Sequence, residues 1–172
     1  MTCPGEVSRS RSVGLGATFP VGTPTASGPF SGANAGWQAT IGLHRTVGSS
    51  GPDFGARVFY GGNGYEGPGE QDSSLSGATA FGSWTLFTES AVSPLLWSED
   101  GFISHKYSAD SGGPLGGGVV SDGEAFVVAR GLGAHIPIGS SDLLLLNGYS
   151  HGFGAVEDVR YFILTAAAAL TL

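Results

Sequence analysis

The chain has 172 residues, is 41% apolar and only 12% charged, and carries 31 glycines and a net charge of −7. One domain suits that length, and ten Phe, five Tyr and three Trp among so many apolar residues exclude a disordered chain, which is poor in both. The basic residues Arg9, Arg11, Arg45, Arg57, Lys106, Arg130 and Arg160 are scattered, which excludes nucleic acid as a partner, since phosphate binding needs clustered cations.

Residues 1–8 read as a flexible leader and residues 9–172 as a single barrel domain. Met1-Thr2-Cys3-Pro4-Gly5-Glu6 lacks the basic start and apolar run of a secretory signal. The single Cys3 rules out an intramolecular disulfide and argues against structural zinc. No window holds the roughly 20 apolar residues of a transmembrane helix.

A first strand is expected over residues 11–19, where Val13, Leu15, Ala17 and Phe19 alternate with Ser12, Gly14, Gly16 and Thr18. A Pro/Gly/Ser/Thr loop over 20–33 follows, and then the clearest pattern in the chain. Trp37, Ala39, Ile41 and Leu43 share one face, with Gly36, Gln38, Thr40, Gly42 and His44 on the other. Past Gly48-Ser49-Ser50-Gly51-Pro52, Phe54, Ala56, Val58 and Tyr60 alternate with Gly55, Arg57, Phe59 and Gly61. A period of two on both sides of a short Gly/Pro/Ser connection predicts an antiparallel hairpin. Its second face carries glycine, hydroxyls, an amide and a rare charge in place of the Lys and Glu of a soluble sheet. That chemistry suits the crowded lumen of a narrow barrel whose apolar outside meets lipid.

A loop over 61–73 precedes a fourth strand over 74–87, and a turn at Glu89-Ser90-Ala91 precedes a fifth over about 94–107. The longest glycine-rich loop, 108–123, leads to a sixth strand over 124–136. A turn at Pro137-Ile138-Gly139-Ser140-Ser141 leads to a seventh over 143–151, and the last strand spans 159–172. Its Ala166-Ala167-Ala168-Ala169 run favours a helix by propensity, yet Leu170-Thr171-Leu172 continues an alternation, so a strand is expected. Long and short connections alternate, which predicts an all-β fold: an eight-stranded antiparallel up-and-down transmembrane β-barrel. Closure leaves no unpaired edge in hydrocarbon. Two features resist the pattern. Glu99 and Asp100 interrupt the fifth strand, and Arg130 is in register with Phe126, Val128 and Leu132, where a charge at the bilayer midplane costs about 2–4 kcal/mol.

With the strands placed, the chain resembles the small porin-like β-barrels of bacterial outer membranes. The residues that carry the resemblance are Val13-Gly14-Leu15-Gly16-Ala17-Thr18-Phe19-Pro20-Val21-Gly22, Ala35-Gly36-Trp37 and Gly55-Ala56-Arg57-Val58. Arg130-Gly131-Leu132-Gly133-Ala134-His135-Ile136-Pro137-Ile138-Gly139 and Asp158-Val159-Arg160-Tyr161-Phe162 complete it. The resemblance implies a non-enzymatic monomer in the bacterial outer membrane, with the lipid bilayer as its partner and no cofactor. An extracellular ligand or protein would be met at the long loops. The family's inward faces carry more paired charges than this chain, whose seventh strand offers Leu146 and Gly148 there.

The expected lumen residues are Gln38, His44, Arg57 and His135. Trp37, Ile41, Leu43, Val58 and Tyr60 are expected to face lipid or form an interfacial girdle, with Trp84, Trp97, Tyr107, Tyr149 and Tyr161 as further girdle candidates. Two other readings stand beside this one. Asp110-Ser111-Gly112-Gly113-Pro114-Leu115 looks like the nucleophile motif of chymotrypsin-like proteases, and His44, Asp53 or Asp72, and Ser111 follow that family's order, which allows a secreted serine hydrolase. A soluble barrel or sandwich enclosing a small apolar ligand is the other. His44, His105, His135 and His151 show no metal-ligand spacing, and no metal is expected.

Overall fold

The computed structural model describes residues 7–20, 33–47, 52–65, 71–109, 119–154 and 160–171. They form eight strands: β1 (Val7–Pro20), β2 (Ala33–Val47), β3 (Asp53–Tyr65), β4 (Gln71–Thr85), β5 (Ser93–Ala109), β6 (Val119–Ile138), β7 (Ser141–Gly154) and β8 (Arg160–Thr171). Each pairs antiparallel with its sequence neighbours, and β8 pairs with β1 to close a barrel. The alanine run is strand, with Ala167 and Ala169 buried and Ala166 and Ala168 exposed. Small side chains are needed inside at that point, because a Cβ on Gly14 of β1 would come within 2.9 Å of the Ala167 Cβ.

The strands run further than their side-chain alternation suggests. Tyr65 ends β3 and Gln71 starts β4, while β5 and β6 pair out to Ala109↔Val119. The expected loops 61–73 and 108–123 therefore shrink to the connections 66–70 and 110–118. Gly61-Gly62-Asn63-Gly64 and the Ser-rich start of β4 lack an apolar face, yet their backbone groups still satisfy one another across the ladder. Backbone pairing extends a hairpin where hydropathy no longer marks it.

The barrel is staggered. Ladder partners followed once around, Ser10–His44–Gly55–Phe81–Glu99–Ala129–Ser150–Tyr161–Pro20, return to β1 at residue 20 instead of residue 10. Such a shear is what tilts strands against a barrel axis. One rim, the turn end, holds the 48–52, 86–92 and 139–140 connections with the start of β1 and the end of β8. At the 86–92 turn, Phe87 adopts a left-handed backbone (φ 54°). Its carbonyl oxygen accepts from Ser93 Oγ at 2.9 Å and Ser90 N–H at 3.2 Å, which fixes the bend. The other four connections lie at the opposite rim, the loop end.

Away from the register shift between Ala33 and Gly36, the described side chains alternate between inside and outside. Two apolar clusters fill much of the interior: Phe81, Leu95, Trp97, Ala129, Leu144, Leu146 and Ala167, and toward the loop end Leu75, Ile103, Ala125, Val127 and Tyr161. The lumen is thus more apolar than the glycine and small polar filling expected from sequence.

Candidate functional site

Beside the Phe81 cluster, on the β1–β5 side of the lumen, lies a polar network built from neighbouring strands. His44 on β2 shares a 2.5 Å hydrogen bond between Nε2 and Ser12 Oγ on β1. Its Nδ1 sits 3.3 Å from Asp53 Oδ2 on β3, close enough for an ion pair though not aligned as a hydrogen bond. Gly42 makes this approach possible, since a Cβ there would lie 2.5 Å from His44 Nε2 and 2.7 Å from Ser12 Oγ. Arg57 on β3 reaches over β4 to Glu99 on β5, with Nη1 donating to Oε2 at 3.4 Å, and Thr79 Oγ1 on β4 donates to the other carboxylate oxygen. The guanidinium carbon also stands 3.5 Å from the Phe81 ring centroid, and His44 meets the same ring edge-on. Arg57 Nε and Nη2 find no acceptor among the described residues, so the ring face offsets part of the desolvation.

Of the expected lumen residues, His44 and Arg57 are buried in this network. Gln38 lines a small cavity of about 40 Å³ with Thr18, Thr79, Glu99, Ser150 and Tyr161, room for a few waters. His135 faces inward at the turn end, where Nε2 lies 2.9 Å from Asp142 Oδ1. Sequence reasoning missed Ser12, Thr79 and Glu99 as members. It also placed Trp97 and Tyr161 among the girdle candidates, but they are 5% and 4% exposed and point inward. Trp97 Nε1 donates to the carbonyls of Leu132 and Asn147 and its ring stacks on Phe81, so its polar tip is satisfied inside.

The hydrolase candidates are only partly described, because Ser111 belongs to 110–118. His44 and Asp53 do meet, but the hydroxyl on His44 is that of Ser12, which is 2% exposed. Asp72 pairs with Gly64 and Ser108 at the loop end, across the barrel from His44 near the turn end. Ser111 lies outside the described residues. Neighbouring backbone N–H groups around Ser12 are engaged in the ladders to β2 and β8, so no oxyanion site adjoins it. Among the described residues no His, Cys, Asp and Glu group is placed to hold a metal ion.

The outer face is the reverse. Trp37, Ile41, Leu43, Val58 and Tyr60 are all more than half exposed there, with Trp37 and Tyr60 in ring contact. Aromatic side chains gather toward the loop end at Phe19, Trp37, Tyr60, Phe102, Phe126 and Phe162, and toward the turn end at Phe54 and Trp84. Arg130 and Asp100 also point outward, 3.5 Å apart.

No family model and no curated protein sequence matches the chain. Solved structures do. Neisserial surface protein A (NspA) is similar over 96% of this chain and 97% of its own, with a TM-score of 0.57 at 16% identity. Ail, the attachment invasion locus protein of Yersinia pestis, in its complex with the heparin analogue sucrose octasulfate, matches over 99% of this chain and 100% of its own, with a TM-score of 0.53 at 14% identity. The N-terminal β-barrel domain of Pseudomonas aeruginosa OprF covers 95% of this chain and 97% of its own, with a TM-score of 0.51 at 7% identity. The chain therefore has the fold of the small eight-stranded outer-membrane barrels: all-β, antiparallel and closed.

Proposed function

We propose that the chain is a non-enzymatic outer-membrane β-barrel protein that spans the bilayer with its eight strands. Its role is structural or a surface interaction carried by the connections at the loop end. The observation that carries this reading is the inverted distribution of side chains. Arg57, Glu99 and His44 are buried inside, while large apolar side chains such as Leu15, Ile41, Val58, Phe102, Leu132 and Leu164 are exposed around the whole outside. A soluble protein of this size does not leave so extensive an apolar surface in water, whereas a bilayer requires it.

The rims fit the same placement. Arg9 and Arg45 face outward directly opposite each other at the turn end, with Arg11 beside them. Like charges in that register repel, and anionic headgroups at an interface offset the repulsion. The loop end is acidic in sequence, with Glu66, Glu70, Asp110, Asp122, Glu124, Glu157 and Asp158 against Lys106 and Arg160. A polysulfated ligand like the one held by Ail does not suit such a rim, and no retention on immobilised heparin at physiological salt is expected. Retention that salt reverses would show a cationic face. The internal cavity, about 40 Å³, is far below the roughly 300 Å³ of a small-molecule pocket, which disfavours the ligand-carrying soluble barrel.

Refolding from urea tests the proposal. A β spectrum that develops only in micelles or vesicles, together with different gel mobility before and after boiling, is expected. A β-fold in plain buffer without a mobility shift would overturn it. A second measurement reads depth directly. In vesicles of brominated lipid, Trp37 and Trp84, each more than half exposed, are expected to be quenched, while a W37F/W84F variant retaining the buried Trp97 keeps its emission.

A further inference from the structure

We propose that the barrel self-associates within the bilayer through its β5–β6 face, with Asp100 and Arg130 at the centre of a two-fold contact between copies of this chain. The inference rests on the membrane reading above. It starts from a break in the apolar belt. The ladder stagger fixes which outward positions share a depth: about level with Arg130 are Leu15 on β1, Ile41 on β2, Val58 on β3, Ala80 on β4 and Leu164 on β8. All five are apolar and exposed. On β5, β6 and β7 the same depth is held by Ser98 and Asp100, by Arg130, and by Asn147. The break sits between Phe54 and Trp84 toward one rim and Trp37, Tyr60 and Phe102 toward the other, near the middle of the apolar band.

Polar groups facing hydrocarbon at that depth are costly and rarely kept without a partner. The Asp100–Arg130 pair cancels its own net charge but leaves both side chains in contact with the surroundings, 39% and 64% exposed. The exposed Asn147 amide has no hydrogen-bond partner among the described residues.

Charge complementarity selects a second copy as the occupant. Two barrels inserted with the same orientation can be related by a two-fold axis only along the membrane normal, so each residue meets residues at its own depth. Arg130 and Asp100 have opposite charge, nearly equal depth and adjacent strands. An axis between β5 and β6 sets Arg130 of each copy against Asp100 of the other, joining two ion pairs into one closed ring of alternating charge. β7 and β4 of the second copy then flank the contact on either side, where the barrel walls curve away from one another.

The test uses the full chain, labelled at Cys3 with donor or acceptor dyes and folded into phosphatidylcholine vesicles, with the heat-dependent mobility shift scored on every sample. Wild type is expected to show energy transfer that persists when lipid is diluted. D100R leaves only positive charge at the contact and R130D only negative, and each alone is expected to lose at least about tenfold in association. Mixed together, the two variants are expected to regain it, an outcome that repair of an intramolecular pair cannot produce. A monomeric wild type, or a mixture no better than its components, overturns the proposal. A charge-neutral check is C3S/S98C, expected to form a disulfide dimer on oxidation, whereas C3S/L15C on the opposite wall does not; equal crosslinking at both sites also overturns it. Loss of energy transfer with the mobility shift intact sinks only the self-association, while loss of both sinks the membrane reading with it.

Discussion

Glu99→Ala is expected to lower the stability of the folded barrel by about 3–5 kcal/mol, the cost of leaving a buried charge without its counter-ion. The side chain removed holds Arg57 and receives Thr79, and Arg57 is 3% exposed with two guanidinium nitrogens already lacking acceptors among the described residues. Among those residues no other carboxylate makes an ion-pair contact with that cation: Asp53 attracts it only from further away, and Phe81 offers a ring face. Denaturant unfolding in micelles, followed by circular dichroism, measures the loss. The double variant R57M/E99M removes both charges and fills similar volume, so it is expected to recover most of the stability. A double variant as unstable as E99A would mean that the pair is held for packing and not for charge balance.

The second large effect is expected at Trp97. Replacement by Ala should cost about 3–5 kcal/mol, as for other large aromatic side chains removed from a packed core. Trp97 bridges β5 to β6 and β7 through the Leu132 and Asn147 carbonyls, and its ring occupies the space beside Gly148. That space is tight. A Cβ on Gly148 would run into the Trp97 ring and stand 2.6 Å from the Arg130 carbonyl oxygen. Gly148→Val is therefore expected to lose about 1–3 kcal/mol by overpacking, and W97L in the same chain should restore part of it. Equal cost for G148V with and without W97L would place the strain in the backbone contact alone.

The strands of the β2–β3 hairpin were legible because each has one largely apolar and one more polar face, so Trp37, Ile41 and Val58 sort to one side and Gln38, His44 and Arg57 to the other. β5 defeats that reasoning. Leu95, Trp97, Glu99 and Ile103 share its inner face, and Leu96, Asp100 and Phe102 its outer one, so neither hydropathy nor aromatic content says which side is which. Only pairing with β4 and β6 decides it, and that information is spread over distant parts of the chain. The same mixing hid Glu99 as the counter-ion of Arg57, although its spacing from Trp97 and Gly101 already placed all three on one face. In β7, Leu143 to Leu146 are apolar on both sides, because the lumen at that level holds Leu95, Trp97 and Phe81 instead of polar side chains. The strand ends near the loop rim were missed for another reason, since their pairing is carried by backbone groups alone.

The closure of β8 on β1 also constrains how the barrel comes into being. Ser10 pairs with Thr171, so the final ladder joins segments separated by nearly the whole sequence, and it cannot form until the other seven are in place or forming with it. Contacts of such long sequence separation make folding slow, because the chain entropy of bringing them together is lost before any pairing is gained. In hydrocarbon an open sheet would expose the unpaired edges of β1 and β8, at several kcal/mol for each unsatisfied group. Partly assembled barrels therefore have no stable place inside a bilayer. If the chain spans a bilayer as proposed, insertion and closure become a single kinetic event, with the waiting chain held at the membrane surface until both can happen at once.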